Sequence, residues 1–304
     1  MKVAALDCVW YDLPLEKRLK HIADLGFKGV EFWLTAAELG YDPAPEWPST
    51  HEVARLSLSP RELAKLVDNV GLKIVGFGQY AFMGHYPTVF DPPEIEKGRR
   101  REKRIEDIKS MLTYAAETGA KYVIGETGGD PAKSEQWKIV VDVVRQLVDH
   151  AEKVGAVLAV ENTPQMHIAT PDAQLRLMKE IDSKALRVLY DPANLNLTPP
   201  GKWNLPGIIK KLKEYIALVH AKDSVYHEGP YGRIPDDAWD CPPIGKGQVP
   251  WPECLEAFKE IGYDGYLIVE YAPPVHAVRR EDRETGAIEG LRYLEGLLKK
   301  KGLQ

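Results

Sequence analysis

Apolar residues in this chain fall into short runs of strand length, set between longer stretches with helical periodicity. The runs are Val3–Trp10, Gly29–Leu34, Leu72–Gly78, Lys121–Glu126, Ala156–Glu161, Leu186–Asp191, Ile216–His220 and Tyr266–Tyr271, eight in all. Several are apolar at successive rather than alternate positions, Val157-Leu158-Ala159-Val160 being the clearest. A strand buried on both faces reads this way, as in a parallel sheet covered by helices. The helical stretches have readable starts. Ser59-Pro60-Arg61-Glu62 places an N-cap serine, a first-turn proline and a capping-box glutamate in order. Asp91-Pro92-Pro93-Glu94 predicts the start of a helix ending near Thr118, and Thr170-Pro171-Asp172 opens another. Over Gln136–Val154, Trp137, Val140, Val141, Val144, Leu147 and Val148 form an apolar stripe. Gly26, Gly71, Gly119 and Gly262 each precede a predicted strand, where glycine supplies a left-handed helix cap.

Eight strand–helix units predict the α/β class and a single closed (β/α)8 TIM barrel, with residues 1–304 as one domain. An open doubly wound sheet would carry a glycine-rich phosphate loop after its first strand, and Tyr11-Asp12-Leu13-Pro14 holds no glycine. The loops after strands 2, 3 and 7 are long. Loops that follow strands lie on a barrel's C-terminal face, where active sites are built.

Composition changes this picture only a little. The 304 residues are 44% hydrophobic and 28% charged, ordinary for a globular protein. With 40 Lys+Arg against 45 Asp+Glu, the net charge of −5 argues against a general nucleic-acid binder. Cys8, Cys241 and Cys254 are scattered and form no CxxC, so neither a disulfide framework nor a zinc ribbon is expected. A reducing, cytoplasmic location follows as the simplest expectation. No run approaches the length of a membrane span, and Asp7 falls where a signal peptide would stay apolar.

The chemistry lies in how the later strands end. Four successive strands stop at side chains able to hold a metal: Glu161, Asp191, His220 and Glu270. One strand-end acid is ordinarily a cap or a salt-bridge partner. Four at the same register converge on one side of a barrel mouth, where three carboxylates would repel each other without a cation. The set is hard and oxygen-rich, suited to Mn²⁺, Mg²⁺, Co²⁺ or Zn²⁺.

The segments around these residues carry a resemblance. Val160-Glu161-Asn162, Tyr190-Asp191-Pro192-Ala193-Asn194, His220-Ala221-Lys222-Asp223, Ile244-Gly245-Lys246-Gly247, Gly262-Tyr263-Asp264-Gly265 and Val269-Glu270 resemble the xylose isomerase-like TIM barrel superfamily, in its sugar phosphate isomerase/epimerase branch. The resemblance implies one divalent metal ion per chain, Mn²⁺ first among the candidates, held by Glu161, Asp191, His220 and Glu270. It implies an isomerase or epimerase of a small sugar, keto-sugar or cyclitol, with a metal-stabilised enediolate and Glu161 and Glu270 as the catalytic proton carriers. A lyase or dehydratase using the same site is the alternative, such as one acting on an inosose, a dehydroshikimate or a keto-glycoside. Some members carry His three residues after the metal Asp. This chain has Asn194 there, which hydrogen-bonds but relays no proton near neutral pH.

Five further residues are expected to contact substrate: Lys222, Asn194, His85, Glu126 and Trp33. Each also has a plain structural reading: a salt bridge of Lys222 with Asp223, a surface-loop His85, or carboxylates and aromatics that merely support the barrel mouth. Glu31 and Trp10 are weighed in the same way, as a contact for sugar hydroxyls and a surface for a sugar ring. The expected partner is a small carbohydrate, with neither nucleic acid nor membrane, and a homo-oligomer stays open. Phosphodiester cleavage by a His-rich, multi-metal site fits poorly, since only His220 of the eight histidines ends a strand.

Overall fold

The computed structural model describes residues 1–10, 12–34, 58–79, 95–128, 131–164, 166–198, 203–225, 241–271 and 280–303. Its strands are β1 (Lys2–Leu6), β2 (Gly29–Leu34), β3 (Lys73–Gln79), β4 (Tyr122–Gly125), β5 (Val157–Glu161), β6 (Leu186–Tyr190), β7 (Ile216–Ala221) and β8 (Tyr266–Val269). Each pairs in parallel with the next, and β8 returns to β1, closing the eight-stranded barrel expected from the apolar runs. Around it run α1 (Leu15–Leu25), α2 (Pro60–Asn69), α3 (Ile95–Thr118), α4 (Gln136–Val154), α5 (Pro171–Ile181), α6 (Pro192–Leu197), α7 (Leu205–Lys211), α8 (Trp251–Glu260) and α9 (Arg280–Lys301). None of these helices is long and apolar enough to cross a membrane.

Local chemistry accounts for the element ends. Every residue of β5 is buried, as its unbroken apolar run requires. Ser59 caps α2 in a reciprocal box: its hydroxyl accepts from Glu62 N at 3.3 Å, and its own N–H donates to Glu62 Oε2 at 2.8 Å. Gly26, Gly71, Gly119 and Gly262 all take left-handed φ angles, of 107°, 79°, 80° and 73°, and turn the chain from helix to strand as predicted. The stripe on α4 is buried at Trp137, Val140, Val144, Leu147 and Val148.

The first apolar run corrects the reading of the sequence. It is not one strand: β1 stops at Leu6, and Asp7–Trp10 form a 3-10 turn. Asp7 is the cause. Its carboxylate is fully buried, pairs with Arg18 Nη1 at 2.7 Å and accepts the Trp33 N–H at 2.7 Å, so it ties the turn to α1 and β2. Trp10 is carried into the core, 0% exposed, with its ring edge-on to Phe27 and His21. It packs the barrel wall and offers no face to a sugar. The runs for strands 4, 6 and 8 also overshoot: Glu126, Asp191 and Glu270 lie just past β4, β6 and β8, on the rim. Residues 35–57, 80–94 and 226–240, which make up most of the three long loops and include His85, lie outside the described residues.

Candidate metal centre

Four strand ends build the centre. Glu161 is the last residue of β5, and Asp191 follows β6 as the N-cap of α6, its Oδ1 accepting Asn194 N at 2.9 Å. His220 is the penultimate residue of β7. Glu270 follows β8 and stays in the ladder by donating its N–H to the Ala221 carbonyl at 3.0 Å. One ligand atom from each of Glu161, Asp191, His220 and Glu270 can be chosen so that all lie within 4.8 Å of one another. The expected four residues are therefore brought together, all buried.

Asn162 fixes the spacing between β5 and β6 at this level. Its Nδ2 donates to the Asp191 carbonyl at 2.7 Å, and its Oδ1 accepts the Asp191 N–H at 2.9 Å. This reciprocal clamp does by side chain what a ladder does by backbone. The chain pattern shows Asn162 beside Glu161 but gives no sign of the clamp.

Around His220 the geometry assigns the two ring nitrogens different tasks. Nδ1 faces the cluster, 3.3 Å from Glu161 Oε1 and 2.8 Å from Glu270 Oε2. Nε2 points away from it, 3.1 Å from Glu31 Oε2, with both partners fully buried. A carboxylate behind a metal-binding imidazole fixes its tautomer and ring plane. Glu31, read from the sequence as a contact for sugar hydroxyls, thus stands behind His220. The available signal was a single charge inside an otherwise apolar run, Gly29–Leu34.

Lys222 lies on the same side as His220, as two residues of extended chain require. Its Nζ is 2.9 Å from Glu270 Oε1, 3.8 Å from Asp191 Oδ2 and 3.4 Å from Asn194 Oδ1. Asn194 in turn donates to Glu161 Oε1 at 2.8 Å. Asp223 has other work. Its Oδ1 accepts from Ser224 N at 2.9 Å and Val249 N at 3.0 Å, and its Oδ2 accepts from Gly245 N at 2.8 Å, folding residues 244–249 against the end of β7. Glu126 is buried beside the centre and accepts the Thr163 hydroxyl at 2.8 Å. Trp33, at the top of β2, is buried on the same rim.

The electrostatics follow from this crowding. Burial, and then the charges of Glu270 and Glu161, push Asp191 up to about 7 against the opposing pull of Lys222. Burial and the Glu161 charge push Glu126 up to about 8. Burial also works against the charge on Glu270, but Lys222 and His220 overcome it and hold that carboxyl well below the usual range. Burial disfavours imidazolium at His220, and Glu31, Glu161 and Glu270 together outweigh it and raise its pKa.

Three carboxylate oxygens of the cluster, Glu161 Oε2, Asp191 Oδ2 and Glu270 Oε2, are buried without a hydrogen bond. The close approach of Glu270 Oε2 to His220 lacks hydrogen-bond geometry. Buried carboxylate oxygens in native proteins are normally satisfied. Three such oxygens on residues gathered around an imidazole, within a set of hard donors, fit a divalent cation.

Comparison with known proteins bears on the barrel as a whole. A solved structure from E. coli, 3-keto-D-glucoside 4-epimerase, superposes with a TM-score of 0.70 at 18% identity, covering 97% of this chain and 99% of that one. An uncharacterized protein of Methanocaldococcus jannaschii is 28% identical over 200 residues, 61% of this chain and 62% of its own length. An inosose dehydratase of Geobacillus thermodenitrificans is 24% identical over 193 residues, 56% of this chain and 63% of its own. The matched stretches thus span just under two thirds of these two relatives. The model of one family, the xylose isomerase-like TIM barrel, matches residues 19–297. The chain belongs to that family.

Proposed function

We propose that the protein is a divalent-metal-dependent isomerase or epimerase of a small sugar, keto-sugar or cyclitol. The observation that carries this reading is the buried cluster of Glu161, Asp191, His220 and Glu270 with its orphaned oxygens. These four residues would hold one ion, Mn²⁺ being the first candidate. When bound, such an ion supplies Lewis acidity that stabilises negative charge on neighbouring hydroxyl and carbonyl oxygens of a substrate.

The chain's own groups would move the proton. Glu161 and Glu270 reach the centre from β5 and β8, with β6 and β7 between them. A base on each side is what epimerisation needs, since a proton leaves one face of the carbon beside the carbonyl and returns to the other. Lys222 and Asn194 hold the second oxygens of Glu270 and Glu161 and so aim both carboxylates. Lys222, Asn194, Glu126 and Trp33 would also border the substrate; His85 lies outside the described residues.

A lyase is the second reading, favoured by the inosose dehydratase relative. It shares the proton abstraction and then expels a β-leaving group. The test is Mn²⁺-loaded protein incubated in D₂O with D-fructose, D-tagatose, scyllo-inosose and a 3-keto-glucoside. We expect deuterium to enter beside the carbonyl, and Glu270→Gln and Glu161→Gln to slow entry by at least about a hundredfold. Recovery of an isomeric sugar marks the isomerase, and loss of water or aglycone marks the lyase. Absence of exchange with every compound would sink the reading.

A further inference from the structure

Glu126 Oε2 is a buried oxygen with no hydrogen-bond partner among the described residues, and it is not a member of the four-residue cluster. Gly125 pairs with Val160 across β4 and β5, so the next residues, Glu126 and Glu161, stand side by side on the rim. Thr163, two residues beyond Glu161, donates its hydroxyl to Glu126 Oε1 at 2.8 Å. That bond turns the carboxyl so that Oε1 is satisfied by protein and Oε2 is left over. A cation held by the four clustered residues would answer the three unpartnered oxygens of that cluster and leave Glu126 Oε2. Glu126 is 5% exposed, so bulk water does not satisfy it.

We propose that Glu126, held by Thr163, reads a hydroxyl of the substrate that lies outside the metal-chelated oxygen pair, and so favours polyhydroxylated ketones over those that offer the chelating pair alone. This rests on the proposed function above. A hydroxyl suits the position in either ionisation state, since it donates to a carboxylate and accepts from a carboxylic acid. Thr163 is a positioning residue: it touches no reacting atom and acts by fixing which carboxyl oxygen is left without a protein partner.

The experiment compares two probes on Mn²⁺-loaded protein: hydroxyacetone, which has the chelating pair and no other hydroxyl, and D-fructose, which has several. For each, kcat/KM of deuterium entry is measured in wild type, Glu126→Ala, Glu126→Gln, Thr163→Val and Thr163→Ser, with Mn²⁺ affinity followed by calorimetry. In Glu126→Ala the ratio of the fructose to the hydroxyacetone value should fall by about 10- to 100-fold, the worth of one buried hydrogen bond to a polar partner. Glu126→Gln should recover part of it. Thr163→Val should lower the ratio less than Glu126→Ala does, with Thr163→Ser restoring it. An unchanged ratio in Glu126→Ala overturns the proposal, as does loss of Mn²⁺ binding, which would make Glu126 a ligand. If wild type exchanges neither probe, the functional reading itself has failed and the inference falls with it; a normal wild type with an unmoved ratio refutes the inference alone.

Discussion

At the residue scale, the centre depends as much on the groups behind the four ligands as on the ligands. Glu31 is the sharpest case. With its carboxylate 3.1 Å from His220 Nε2, it sets which imidazole nitrogen faces the cluster. Glu31→Gln should therefore weaken Mn²⁺ binding by about 10- to 100-fold, measured by calorimetry, with the barrel's far-UV circular dichroism unchanged. Equal affinity in the variant would remove the orienting role. The four clustered residues themselves were legible in the sequence, because a polar residue that ends an apolar strand run is conspicuous. Glu31, Asn162 and Thr163 were not legible in their roles. Each acts through tertiary contacts: Glu31 reaches across the barrel from β2 to β7, while Asn162 and Thr163 join the ends of β5 to β6 and to β4, and no local pattern encodes those meetings.

At the element scale, most boundaries were readable because caps are local chemistry: Ser59 with Glu62, Thr170 with Ala173, Gly26 in its left-handed turn. The end of β1 was not, since it is set by a tertiary pair. Asp7 and Arg18 meet in the interior, and Arg18 Nη2 also donates to the Leu13 carbonyl at 2.9 Å. Replacing one partner strands a buried charge or polar group. Arg18→Met should cost about 3–5 kcal/mol in urea denaturation. A loss below about 1 kcal/mol would show that Asp7 finds its stability in the Trp33 N–H alone. The clip at Asp223 is similarly tertiary. A Cβ at Gly247 would overlap the Asp223 carboxylate, so the Gly-Lys-Gly segment is fixed by close approach as well as by turn geometry.

At the scale of the whole molecule, the barrel concentrates buried acids at one mouth: Glu31, Glu126, Glu161, Asp191 and Glu270, with Lys222 and His220 as cations among them. A divalent ion would relieve that repulsion, and on the proposed reading it would bind the folded chain rather than the unfolded one. At 100 times its Kd, an ion should stabilise the fold by about 2.7 kcal/mol. The shift in Tm on adding Mn²⁺ to chelator-treated protein reads this. The pH dependence has a definite sign. The ion requires ionised Asp191, whose carboxyl is pushed up to about 7 by burial and by Glu270 and Glu161. Below that pH a proton must leave Asp191 for the ion to bind, and His220, whose pKa Glu31, Glu161 and Glu270 raise, must lose its proton too, so affinity should rise as pH increases through about 7 and go on rising above it. Affinity that falls over the same range would contradict the assignment of Asp191.

The seam between β8 and β1 sets a schedule for assembly. Lys2 pairs with Tyr266 and Ala5 with Val269, so the first strand made waits for the last. At synthesis rates of about 5–20 residues per second, that delay is roughly 15–50 s. For that interval one edge of β1, apolar and destined for full burial at Val3–Leu6, has no strand beside it. An unpaired apolar edge is a template for other chains. The nascent chain therefore passes through a stage in which this edge of β1 is open to other chains, and shelter from a chaperone would matter until Tyr266–Val269 emerge.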